Sequence, residues 1–304
     1  MDSQLIPGIV VHGGAGAWPD GRVDSAVAGC RAAAQAGLEI LAAGGSALDA
    51  VQAAVRLLEQ DDCFNAGLGS VLTRAGSVEV DAAIMDGRSQ SVGAIAAASG
   101  IDRPVDVARA VLANGEHALL CGEGATAFAV EHGFERCGAD ALVTERSKRR
   151  LAAVAAQRKD DPDAVATDPG TVGAVAVDAD GHVAAATSTG GTTYKRPGRI
   201  GDTPLAGCGT YAADAEGAAS ATGDGEAIIR ATMTARCCEA MRGGLTAADA
   251  ATAAVAHVQQ VVPGADVGII VVDPAGGLGA AHCSKRMAWA QASVGQVVAA
   301  GIEC

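Results

Sequence analysis

The run TVGAVAVDADGHVAAATST, residues 171–189, narrows the folds open to this chain more than any other segment. Two apolar stretches flank an Asp-Gly turn, so the run reads as a hairpin. Its first arm is apolar throughout, as a strand in the middle of a sheet would be. With the turn centred near Ala179–Asp180, residues whose numbers sum to about 360 face each other. Thr171 then lies opposite Thr189, and two hydroxyls stand side by side at the open end.

The rest of the chain supplies helices in pairs and strands in consecutive runs. Residues 8–11 read as a buried strand that ends in a loop, His12–Gly16. Ala-rich helices follow at 22–43 and 47–61, the second capped by Ser46. Strands are expected near 70–73, 78–85 and 90–96, then helices at 103–113, 122–132 and 141–157. Residues 158–169, RKDDPDAVATDP, hold two prolines and several aspartates and read as a solvated, mobile linker. Beyond the hairpin come a short strand at 218–221, helices at 225–241 and 246–261, and strands at 266–273, 277–282, 287–291 and 295–301. Without regular strand-helix alternation, the pattern favours an α+β arrangement, with helices outside two mostly antiparallel sheets. The linker splits the sequence, yet the second part begins in mid-sheet, so one domain is expected over 1–304.

Composition excludes several functions. A formal charge of −13 argues against nucleic acid and anionic membranes as partners. No apolar run reaches the roughly 18–20 residues of a membrane span. The start, MDSQLIPGIVVHGG, has neither a basic region nor a long apolar one, so a cytoplasmic location is expected. Nine scattered cysteines show no zinc spacing and read as free thiols in a reducing compartment.

A threonine hydroxyl is a poor nucleophile without a base, and no histidine lies within several positions of Thr171. If the Gly170–Thr171 bond were cut, the residue's own α-amino group would serve, with a pKa of about 7.7–8. Taken alone, a threonine that opens a strand is explained by β-propensity.

At this point the residues resemble a family. GTVGAVAVDADGHVAAATSTGG, RPGRIGDTPLAGCGTYA and SATGDGEAIIR are similar to motifs of the plant-type asparaginase/isoaspartyl peptidase family of N-terminal-nucleophile hydrolases. IVVHGGAG, FNAGLGSVLT, DAAIMDG, LLCGEGATAFA and MAWA fit it in the same order, over essentially the whole chain. The resemblance implies a four-layer αββα sandwich and a precursor that cleaves itself into 1–170 and 171–304. It further implies a homodimer of cleaved units, hydrolysing the side-chain amide of L-asparagine and β-aspartyl dipeptides.

By position, the resemblance makes Thr171 the nucleophile freed after Gly170, Thr189 its hydrogen-bond partner, and Thr222 with Gly223 the oxyanion hole. Arg199 and Asp202 match the groups that hold the substrate's α-carboxylate and α-ammonium, a pairing that suits a guanidinium and a carboxylate. Gly225 matches a carbonyl contact to the same ammonium, and Asn65 a side chain near the nucleophile. No cofactor is implied for the chemistry. Segment 58–68 resembles a sodium loop, in which carbonyls of Leu58, Glu59, Asp61, Phe64, Ala66 and Leu68 would bind Na+. Asp62 stands where that loop commonly has proline, and Cys208 where the family commonly has alanine. His12 is expected to support the nucleophile rather than act as a base. Three other readings stand beside this one. A glycosylasparaginase would have to hold a sugar with only two Trp and two Tyr in the chain. A nucleotide-binding protein is suggested by Gly122-Glu-Gly124-Ala-Thr-Ala127, which lacks a convincing preceding strand. A relative that never cleaves is opposed by the intact threonines, Arg199 and Asp202.

Overall fold

The computed structural model describes residues 5–138, 140–161 and 169–303. In its first half, strands and helices come singly or in pairs without regular alternation. β1 (Gly8–Gly16) leads to α1 (Asp20–Ala42) and α2 (Ala47–Glu59), which starts where the Ser46 side chain accepts the Asp49 N–H at 3.1 Å. A 3-10 turn, Gly67–Gly69, precedes the hairpin of β2 (Val80–Asp86) and β3 (Val92–Ala98). Then come α3 (Pro104–Asn114), β4 (Leu119–Cys121), α4 (Gly122–Glu131) and α5 (Glu145–Asp160). Pro104 opens α3 and Gly115, at φ +72°, closes it, the usual asymmetry of helix ends. A capping box between Thr144 and Ser147 starts α5.

The hairpin after Gly170 is β5 (Val172–Val177) and β6 (Val183–Thr189), both buried along their whole length. Its pairs run from Val172 with Ser188 to Val177 with Val183, each summing to 360 as the turn position requires. Asp178 shapes the turn, accepting the N–H groups of Asp180 and His182 at 3.1 and 3.0 Å. After β7 (Thr210–Ala213) and β8 (Gly217–Gly223) come α6 (Gly225–Ala231), α7 (Met233–Arg242) and α8 (Ala247–Val261). The chain ends in β9 (Val267–Val272), β10 (Leu278–His282), β11 (Arg286–Ser293) and β12 (Ala299–Gly301).

These strands form two sheets, ordered β12-β11-β1-β5-β6-β2-β3-β4 and β10-β9-β8-β7. Among the described pairs only β3 and β4 run parallel. Three apolar clusters hold them. One joins α1–α3 to the larger sheet through Ala33, Val51, Leu58, Ile84 and Ala186. A second joins α6–α8 to the smaller sheet through Ile228, Cys238, Val258 and Ile269. The third lies between the sheets, from Val10, Val175 and Met287 to Ala218 and Ile270. Alanine and valine dominate all three, and such small side chains let layers approach closely.

Several local expectations need correction. The loop at His12–Gly16 is strand: β1 runs on to Gly16 because Gly14–Gly16 pair with Arg286–Ala288 across an irregularity at His12/Gly14. Segment 70–73 is not a strand but an irregular stretch with one bridge, Thr73 to Lys195. The helix expected at 141–157 runs Glu145–Asp160, so it takes in the first residues of the expected linker; 162–168 lie outside the described residues. Helix 225–241 is two helices, broken at Thr232 with φ +47°. A strand, β4, does precede the glycines at Gly122 and Gly124, parallel to β3 with α3 between them. Only three residues long, it gave no periodic signal. Among the described residues no helix is long and apolar enough to cross a membrane, and the eight described cysteines are free thiols.

Candidate active site

The hairpin's open end is where chemistry-bearing side chains converge. Thr171 Oγ1 lies 2.9 Å from Thr189 Oγ1, either hydroxyl being able to donate. The Gly191 N–H donates to Thr189 Oγ1 at 3.0 Å. Behind Thr189, its ladder partner Asp81 is fully buried and accepts the Ala97 N–H at 2.7 Å.

The bond before Thr171 is held on both sides. The Gly170 carbonyl accepts the Asn65 backbone N–H at 2.7 Å. A side chain on Gly14, itself at φ +108°, would put its Cβ 2.2 Å from Gly170 N, so only glycine lets β1 reach this bond. Asn65 is more than a turn residue. Its Nδ2 donates to the Gly191 carbonyl at 2.7 Å, its Oδ1 accepts Val71 N–H at 2.9 Å, and its carbonyl accepts Gly190 N–H at 2.8 Å. One residue, through its backbone N–H and its side chain, thus ties the segment before Thr171 to the segment after Thr189. Beside it opens a cavity of ≈ 280 Å³, lined by Asn65, Pro169 and the arginines Arg22, Arg146 and Arg150.

A chain of buried hydroxyls, unsuspected from sequence, reaches Thr171 from the smaller sheet. His12 Nδ1 lies 3.1 Å from the Thr171 carbonyl, which only accepts, so Nδ1 carries the proton. Nε2 then accepts from Ser220 Oγ at 3.0 Å, leaving Thr187 to donate to Ser220 at 2.7 Å and Thr210 to Thr187 at 2.7 Å. Burial pushes the His12 pKa down to about 3, although the bond to the Thr171 carbonyl pulls the other way. His12 is therefore neutral at physiological pH and already committed at both nitrogens. Its geometry fits a support for the Thr171 backbone. Gly173 makes room for it: a Cβ there would lie 2.1 Å from Ser220 Oγ and 2.5 Å from His12 Nε2.

Thr222 and Gly223 close β8, paired with Gly268 and Val267; both sit inside the ladder rather than past its end. Thr222 Oγ1 accepts the Ala15 N–H at 3.2 Å, which links this strand end to β1. Gly223 has φ +125°, and Asp224 caps the next helix by accepting Ala227 N–H at 3.3 Å.

Arg199 and Asp202 lie on the loop between β6 and β7, which Asp81 touches by accepting Gly201 N–H at 3.4 Å. Gly225, the first residue of α6, fits against both: its Cβ would lie 2.8 Å from Asp202 Oδ1 and 2.9 Å from Arg199 Nη2. Gly191 connects the two clusters, since its Cβ position is 3.4 Å from Arg199 Nη1 while its N–H holds Thr189. Asp202 is buried, and its Oδ2 has no hydrogen-bond partner among the described residues. Burial raises its pKa to about 7, against the opposing pull of a backbone hydrogen bond and the Arg199 charge. An unpaired buried carboxylate oxygen is costly and calls for a cationic donor. Glu226 binds Arg199 through two hydrogen bonds of 3.0 and 2.7 Å. Burial works to raise the Glu226 pKa, but the hydrogen bond and charge of Arg199 hold it below the usual range.

Of the carbonyl loop, Leu58 and Glu59 end α2, Leu68 sits in the 3-10 turn, and Asp61, Phe64 and Ala66 lie between. Carbonyls of Leu58, Asp61 and Ala66 each accept a backbone N–H, which leaves each a second lone pair. Arg146 Nη2 donates to the carbonyls of Asp62, Phe64 and Gly69, the last two at 2.9 Å. The donor set is oxygen-only and suits a hard cation, with a guanidinium already supplying positive charge at Phe64.

Residues 5–302 match the family described as asparaginase. The chain is 43% identical to the zebrafish (Danio rerio) isoaspartyl peptidase/L-asparaginase, over 96% of this chain and 94% of that protein. It is 42% identical to the human protein of that name, over 96% and 95% of the two chains, and 41% to the bovine one, over 96% and 95%. The chain belongs to the asparaginase family.

Proposed function

We propose that this chain is an amidohydrolase that cleaves the side-chain amide of L-asparagine and β-aspartyl dipeptides through Thr171. The observation that carries the reading is the Thr171–Thr189 hydroxyl pair near a carboxylate and a guanidinium that both border Gly225. The relatives' name, isoaspartyl peptidase/L-asparaginase, supports it over the sugar-bearing alternative. Helix–sheet, sheet–sheet and sheet–helix cores support a single four-layer αββα domain of the N-terminal-nucleophile class.

The chemistry runs in two stages. In maturation, Thr171 Oγ1 attacks the Gly170 carbonyl carbon while the Asn65 N–H takes the developing oxyanion. The C–N bond breaks as the hydroxyl proton passes to the departing Thr171 nitrogen, an ester forms on Thr171, and water hydrolyses that ester to release residues 1–170. In turnover the freed α-amine, neutral above a pKa of about 7.7–8, takes the hydroxyl proton. Thr189 orients that hydroxyl, and Thr222 with Gly223 receives the oxyanion. Ammonia or an amino acid leaves, and water hydrolyses the aspartyl ester. Arg199 takes the α-carboxylate; Asp202 and the Gly225 carbonyl take the α-ammonium. Carbonyls of Leu58, Glu59, Asp61, Phe64, Ala66 and Leu68 would hold Na+, which would stiffen the loop carrying Asn65 and supply no chemistry. A homodimer of cleaved units in the cytoplasm completes the reading, and free thiols fit a reducing compartment.

Purified protein left to stand is expected to resolve into fragments 1–170 and 171–304 by intact mass, with a mature form that hydrolyses asparagine and β-aspartyl dipeptides. A stable single chain that hydrolyses either substrate would refute Thr171 as a terminal nucleophile.

The acidity of Asp202 sets a pH dependence. Only the carboxylate form accepts an ammonium, so below about pH 7 the competent fraction falls about tenfold per pH unit. kcat/KM for asparagine is expected to rise with pH up to that point. The Thr171 amine adds a second rise in the same direction. Asp202→Asn removes one of the two rises, leaving the amine's alone below pH 7, and weakens binding most above pH 7, where the wild-type side chain is charged. A wild-type profile that is level from pH 5.5 to 7 contradicts this role for Asp202.

A further inference from the structure

We infer that Glu226 is a positioning residue for substrate recognition: it clamps one edge of the Arg199 guanidinium so that the other edge meets the substrate's α-carboxylate. This rests on the asparaginase/isoaspartyl peptidase reading above and names a residue that reading does not require.

Glu226 Oε1 accepts from Arg199 Nε at 3.0 Å and Oε2 from Nη2 at 2.7 Å, a two-point contact along the side of the guanidinium. A guanidinium has a second fork, between Nη1 and Nη2, at its end. That end lies in a cradle of glycines. A Cβ on Gly201 would sit 2.8 Å from Nη1, one on Gly191 3.4 Å from Nη1, and one on Gly225 2.9 Å from Nη2. The same Gly225 position is 2.8 Å from Asp202 Oδ1, so the cradle reaches from the guanidinium end to the carboxylate. Side chains at these glycines would fill the space where an α-carbon bearing an ammonium and a carboxylate fits.

The local sequence explains how Glu226 gets there. Gly225 and Glu226 open α6 directly after Asp224 caps it, so one helix start delivers both the glycine wall and the clamp. Arg199's side chain is 16% exposed, and Glu226's is 65% exposed. Exposed ion pairs contribute little to stability. Here the two-point geometry instead selects one rotamer of a long, flexible side chain, which is what a preorganised binding group requires.

A rival role makes the opposite forecast. If Glu226 were a placeholder in the substrate's seat, removing it would lower KM. The test compares steady-state kinetics of mature wild type, Glu226→Ala and Glu226→Gln on asparagine, a β-aspartyl dipeptide and asparagine α-amide. Glu226→Ala is expected to raise KM for both carboxylate substrates about tenfold, with kcat within about threefold of wild type. Glu226→Gln keeps an acceptor and should recover part of that loss. The α-amide has no carboxylate to be read, so its kcat/KM should change less than about threefold. An unchanged or lowered KM in Glu226→Ala overturns the inference, as does an equal loss on the α-amide. Wild type that hydrolyses neither carboxylate substrate overturns the functional reading itself, an outcome separate from the variants' behaviour.

Discussion

Thr171→Ala is expected to yield a folded single chain of 304 residues that neither cleaves itself nor hydrolyses asparagine. The substitution removes the one hydroxyl that both stages use. Loss of a nucleophile that works as a unit with its neighbours costs about 10⁴- to 10⁶-fold in kcat. The fold should survive, because the backbone contacts that hold Thr171, from its carbonyl to His12 and from Gly170 to Asn65, do not involve its side chain. Thr171→Ser keeps a hydroxyl and an amine and should still mature, more slowly. Intact mass and ammonia release measure both stages. Appreciable turnover by Thr171→Ala would mean that a different nucleophile acts.

The second large effect is expected for Arg199→Ala. A charge-assisted bond in a desolvated site is worth about 1.5–3 kcal/mol, or roughly 10- to 150-fold in kcat/KM. Asparagine and β-aspartyl dipeptides present the same α-carboxylate and should lose similar factors, mainly through KM. Asparagine α-amide should be a poor substrate for wild type and suffer much less from the substitution, since the clamp it cannot use is already gone. Equal wild-type rates on asparagine and its α-amide would show that Arg199 does not read the carboxylate. Internal aspartyl linkages in proteins would then become the better substrate class.

The start of α2 was legible because it is written locally in Ser46. Thr144 and Thr246 cap α5 and α8 in the same way, yet the expected start of α5, at 141, falls before its cap. Other elements were misread for lack of a local signal. Leu119–Cys121 and Thr210–Ala213 are too short to show periodicity, and the break at Thr232 interrupts an otherwise helical composition. His12–Gly16 looked like a glycine loop, since the residues that make it a strand, Arg286–Trp289, lie more than 200 positions away.

The same division runs through the site. Sequence by itself determined the hairpin register, and with it the meeting of Thr171 and Thr189. Pairing across a short turn is arithmetic once the turn is placed. Only the tertiary structure decided what surrounds that pair: His12 on Ser220, Asn65 on Gly170 and Gly191, and Glu226 on Arg199. Each contact joins elements of different sheets or loops, and neither partner's neighbours carry a pattern that names the other. Their spacing is set by packing of the alanine-rich layers and by glycines that admit close approach, which become visible only when the layers are assembled.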